Sequence, residues 1–168
     1  MYRELILGGA FVVAGQAALI FSMLVGSALT DPGGATGVVM IVAPVLVAAV
    51  LGGIAWWRPG AGAYIAVAVG VVAAGAAYAN ARMTGLPEWF GGYAHVIVVA
   101  GYVVIAAHAM RRPFLGGGLL LVVAALVGIA NPEIALFLAG PPVLAGALFL
   151  GASKLAGART APQVGPVA

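Results

Sequence analysis

Apolar stretches separated by brief polar or proline-containing breaks occupy almost the whole chain. Six stand out, at residues 5–29, 36–57, 60–80, 90–110, 114–130 and 134–150. A membrane-crossing helix needs about 20 apolar residues, with about 17 as the lower end. The pattern therefore predicts an all-α integral membrane protein, a six-helix transmembrane bundle forming one domain over residues 1–155. The last two runs are the shortest and are separated only by Asn131-Pro132-Glu133. A tilted or re-entrant hairpin there would leave four full spans. The first run exceeds the roughly 7–15 apolar residues of a signal-peptide core, so Gly26-Ser27-Ala28 is not read as a cleavage site. Residues 156–168 are small and polar and include Pro162 and Pro166, which predicts a disordered cytoplasmic tail.

Composition supports this reading. The chain is 64% hydrophobic and 7% charged, whereas soluble domains carry about 25% charged residues. So much apolar surface cannot be hidden inside a soluble globule of this size, and the bilayer becomes the first partner. With no cysteine, disulfides, thiolate metal sites and thiol nucleophiles are excluded. The net charge of +3 does not point to nucleic acid, because the seven Lys and Arg residues are scattered rather than clustered on one segment. They do orient the chain. Threaded alternately across a membrane, Arg3, Arg58, Arg111, Arg112, Lys154 and Arg159 share one side and Arg82 alone takes the other. The positive-inside rule makes the majority side cytoplasmic, so both termini are expected in the cytoplasm and the chain in a bacterial inner membrane.

An internal echo is visible. Residues 36–76 laid over 90–130 match Gly37 with Gly91, Arg58-Pro59 with Arg112-Pro113 and Gly62 with Gly116. This suggests a parallel repeat of a two-helix hairpin. Arg-Pro also has a simpler basis, since proline suits the first position of a helix and arginine the cytoplasmic boundary.

No Asp, Glu, Lys or Arg lies well inside a run, which counts against an ion-coupled pump. The outer breaks pair a proline with an acid at Asp31-Pro32, Pro87-Glu88 and Pro132-Glu133. These acids suit the first turn of the following helix, where free N–H groups and the helix dipole favour a carboxylate. Gln16 is the most central polar residue, and an amide in hydrocarbon requires a partner, either a ligand group or another helix. His95 and Tyr102 share a face of the fourth helix, whereas His108 points roughly 140° away from His95. The two histidines therefore do not share a metal, no cofactor is implied, and both are read as interfacial. Trp56, Trp57, Trp89, Tyr2, Tyr78 and Tyr93 fall at run ends like an aromatic belt. Gly62, Ala66, Gly70 and Ala74 recur every fourth position and predict a smooth helix-contact ridge. Pro44, and Gly140 with Pro141 and Pro142, remove backbone donors inside the second and sixth helices and predict a kink or a break that exposes backbone groups.

No nucleophile, base and oxyanion donors group together, so an enzyme is not expected. The expectation is a small non-enzymatic accessory or scaffold subunit that associates with helices of a partner membrane protein or of itself. The alternative is the membrane component of a transporter, with a small neutral or largely apolar solute held around Gln16, Pro44 and Gly140 to Pro142. In size and six-span topology the chain resembles the substrate-binding membrane subunits of energy-coupling vitamin transporters, and that resemblance implies the transport alternative without supplying a ligand.

Overall fold

The computed structural model describes residues 1–30, 34–86 and 89–160. Among these all regular structure is helical, with α1 (Tyr2–Thr30), α2 (Gly34–Trp57), α3 (Pro59–Arg82), α4 (Trp89–Ala109), α5 (Pro113–Ala130) and α6 (Ala135–Thr160). A 3-10 turn, Pro132–Ile134, opens α6. Asp31-Pro32 and Pro87-Glu88 lie outside the described residues, and Glu133 sits in the turn that opens α6.

Among the described residues four helices are long and apolar enough to cross a membrane, over Tyr2–Gly26, Pro59–Arg82, Pro113–Ala130 and Pro132–Gly157. The described apolar parts of α2 and α4, Ile41–Trp57 and Tyr93–Ala109, are shorter. The final pair is thus longer than the sequence pattern suggested. Pro113, at the first position of α5, starts that helix one residue early. At the other end α6 runs past Leu150 to Thr160, so residues 156–160 are helical rather than part of an irregular tail. Lys154, Leu155, Ala156 and Ala158 are all good helix formers, which favours this extension. Pro162 follows shortly afterwards, and residues 161–168 lie outside the described set.

α4 is the hub. It touches each of the other five helices, and around it α2, α3, α5, α6 and α1 contact one another in that order, with α1 and α2 closing the ring. Tyr102, Val104, Ile105, Val99 and Ala109 are accordingly fully buried. Outward faces of the ring carry exposed apolar groups, including Leu46, Val47 and Val50 on α2, Val67 and Val71 on α3, and Leu126 and Ile129 on α5. Such a surface is stable against lipid rather than water.

Small residues set the helix separations. A Cβ on Gly101 of α4 would stand 2.9 Å from Ala73 of α3, and one on Gly117 of α5 would stand 2.9 Å from the Gly146 carbonyl of α6. On α3 the buried positions are Gly62, Ala66, Gly70, Ala73 and Ala77, so the ridge leaves the every-fourth-residue line and Ala74 is only partly buried. The reason is helical geometry: four residues overshoot one turn by about 40°, and three such steps rotate Ala74 away from the contact that Ala73 and Ala77 take over.

The sequence echo has a spatial counterpart. Gly52 of α2 faces Ala107 of α4, Trp56 lies under the guanidinium of Arg111, Gly70 of α3 faces Val123 of α5, and Asn131 reaches the carbonyl of Ala77. The last pair is 54 positions apart and the others differ little from it. The α2–α3 and α4–α5 hairpins therefore lie side by side in parallel, at the interval by which the sequence overlays itself. Their corners match as well, with Arg58 at φ −118°, ψ 84° and Arg112 at φ −131°, ψ 72°. At each corner a glycine comes hard against the preceding helix, Gly62 on Ala55 and Gly116 on Ala109.

Candidate functional site

Polar residues come together in two places in the bundle. The first is the contact of α1 with α6. Ile6, Gly9, Val13, Gln16 and Ile20 form the inward stripe of α1 at helical spacing, and Gln16 is only 6% exposed. Opposite, Pro141 and Pro142 have no N–H to give to the carbonyls one turn earlier, those of Phe137 and Leu138. The Gln16 side-chain Nε2 donates to both, at 3.0 Å each. One amide thus satisfies the two acceptors that the two prolines leave open. The proline pair does not break the helix, which runs continuously through it, with Pro142 buried and Gly140 and Pro141 half-buried. Gln16, Pro141 and Pro142 are therefore one structural unit. Pro44 lies elsewhere, on the wall of a lateral groove between α2 and α3.

That groove has a volume of about 400 Å³ and a floor of α4 residues, including Ile97, Ala100, Gly101 and Val104. Its walls carry Ala43, Pro44, Val47 and Ala48 from α2 and Ala68, Val69 and Val72 from α3. Two further apolar grooves, of about 480 and 540 Å³, run between α3 and α5. Ala74 lines the larger of them, together with Gly70.

His108 is only 1% exposed. The α2–α3 corner folds over it, and Gly62 makes the room, since a Cβ there would stand 2.9 Å from His108 Nδ1. Tyr102 is fully buried at the core of the ring, its hydroxyl without a hydrogen-bond partner among the described residues.

The second polar place is a crevice of about 400 Å³ at the opposite end from the Arg-Pro corners. It is lined by Asn80, Ala81 and Arg82 of α3, His95 of α4, Ala130 of α5, and Asn131 to Ile134. Asn131 ties its walls together, its Nδ2 donating to Val127 at 3.3 Å and to Ala77 at 3.5 Å. His95 is half-buried and its Nε2 is fully covered, without a hydrogen-bond partner among the described residues. Arg82 and Glu133 are both exposed and make no ion pair with each other. Sequence reasoning named His95 but missed the crevice, because its lining comes from three helices and a turn. The available signal was that the end of α3 at Arg82 and the starts of α4 and α6, near His95 and Glu133, fall on the same side when the runs are threaded alternately. Among the described residues no three His, Asp or Glu side chains are grouped to hold a metal.

Comparison with protein-family models, curated proteins and solved structures finds no match to this chain.

Proposed function

We propose that this is a six-span, multi-pass protein of a bacterial inner membrane, with both termini cytoplasmic. In this reading it is a non-enzymatic accessory subunit that receives a transmembrane helix of a partner protein, or of a second copy, in the groove between α2 and α3. The observation that carries it is the form of this groove: it opens to the side of the bundle between α2 and α3, and the small residues Ala43 of α2 and Ala68 of α3 are exposed on its walls. Small residues there let a further helix approach closely, which is how helices associate in lipid where apolar burial gives no net drive. The lengths of α2 and α4, 24 and 21 residues, support six spans. The side-by-side Arg-Pro corners support the cytoplasmic placement of that end. A solute site built on Gln16 and the Pro141-Pro142 region has less support, because the Gln16 Nε2 and the two proline-freed carbonyls already engage one another; the Gln16 Oε1 is buried and has no hydrogen-bond partner among the described residues.

Ala68 is exposed on the groove wall, so Ala68→Phe fills the groove without entering the core. Intact mass spectrometry from nanodiscs should show a stoichiometric second chain with the wild type and its loss with Ala68→Phe, at unchanged melting temperature. Retention of the second chain by the variant, or a wild type carrying lipid alone, counts against the reading. Topology has its own test. The chain has no cysteine, so Met83→Cys and Gly157→Cys give single labels. An impermeant maleimide added to intact cells should modify the first and leave the second until the membrane is opened; the reverse pattern sinks the orientation.

A further inference from the structure

The crevice at the far end of α3 places unusual chemistry in a chain with so few charges. Arg82 and Glu133, of opposite sign, line one cavity and are not paired with each other. His95, whose covered Nε2 has no hydrogen-bond partner among the described residues, belongs to the same lining. We propose that this crevice binds a small zwitterionic solute, a molecule of amino-acid size with one carboxylate and one ammonium group. The inference is independent of the accessory reading and goes beyond it.

Three features argue for this ligand class. Two opposite charges that do not neutralise each other across a cavity match a molecule whose own charges are held apart. The Arg82 guanidinium presents paired donors that fit a carboxylate, and the Glu133 carboxylate accepts from an ammonium. The walls are already fixed, because Asn131 bridges the end of α5 to α3 and the solute need not order them on binding. Finally, the cavity suits the size: about 400 Å³ is near the small end of ligand pockets, and Ala130 and Ile134 offer apolar surface to a short side chain. In the proposed orientation the crevice opens to the outside, where such a solute arrives without crossing the bilayer.

The test uses the full chain in nanodiscs and isothermal titration with three zwitterions of different size and charge spacing: L-alanine, L-leucine and γ-aminobutyrate. Acetate and methylammonium, each carrying one of the two charges, serve as half-ligands. The expected result is saturable binding of at least one zwitterion, weakened about tenfold or more in Arg82→Gln and in Glu133→Gln, the loss of one charge-assisted contact. Both side chains are exposed, so the variants should keep the wild-type melting temperature. No saturable binding of any zwitterion at 10 mM overturns the proposal, with ~10 mM corresponding to about 2.7 kcal/mol of binding free energy. So does equal binding by a half-ligand, which marks a simple ion site, or undiminished binding in both variants.

Discussion

Gln16→Leu should destabilise the bundle by about 1–3 kcal/mol, because it leaves the carbonyls of Phe137 and Leu138 buried or half-buried without a donor. The substitution preserves side-chain bulk, so lost hydrogen bonds rather than a cavity dominate. The same geometry predicts a compensation. In a Pro141→Ala, Pro142→Ala background the new N–H groups can reach those carbonyls along the helix, and Gln16→Leu should then lose most of its effect. Measured as a double-mutant cycle by reversible unfolding in detergent or bicelles, the expected coupling is about 1 kcal/mol or more. Hydrogen bonds between membrane helices average about 0.6 kcal/mol, so a larger value here reflects two acceptors served by one amide. Equal destabilisation in both backgrounds would show that Gln16 acts through something other than the proline-freed carbonyls.

Gly116→Ala should be as damaging. Its Cβ would collide with the backbone of Ala109 at the α4–α5 corner, where no side chain can swing aside. Overfilling of this kind costs about 1–3 kcal/mol, and a backbone neighbour places it at the upper end. Gly62→Ala meets the Ala55 carbonyl at 2.6 Å and should behave alike, since the two corners share one geometry. Gly75→Ala is the reference: its Cβ would meet nothing within 4 Å, and removing glycine from a helix interior gains about 0.5–1 kcal/mol. Unfolding curves for the three variants decide the matter. A neutral Gly116→Ala would show that the corners can open, and unlike results at Gly62 and Gly116 would show that their resemblance is superficial.

What the sequence displayed and what it concealed follow from range. Helix cores were visible because apolar runs and Arg-Pro breaks are local signals, and the interval relating the two hairpins survived in Arg58-Pro59 and Arg112-Pro113. The end of α6 was hidden because small residues such as Ala156 and Gly157 read as tail, although Lys154, Leu155 and Ala156 favour helix by propensity. Ala73 and Ala77 escaped a fixed four-residue spacing because the helix turns in 3.6. His108 looked interfacial from its place in the run, and only the corner at Gly62 reveals why it is covered. Gln16 was recognisable as an amide in need of a partner, and Pro141-Pro142 as a place where acceptors are freed. That the amide N–H groups meet those acceptors depends on how α1 meets α6, which no local pattern encodes. The crevice was out of reach for the same reason, since Arg82, His95 and Glu133 are adjacent only after α3, α4 and the α6 turn have assembled.

The closing of the ring by α1 and α6 bears on how the molecule is made. Leu5 lies against Gly151 and Gly9 against Phe149, so α1, made before α6, waits for it before these neighbours are in place. Until then Gln16 is an amide without its acceptors, and once α6 arrives the two proline-freed carbonyls need that same amide. A chain cut short before α6 would keep a polar group in hydrocarbon, the kind of flaw by which a membrane quality-control protease distinguishes an unfinished protein from a finished one.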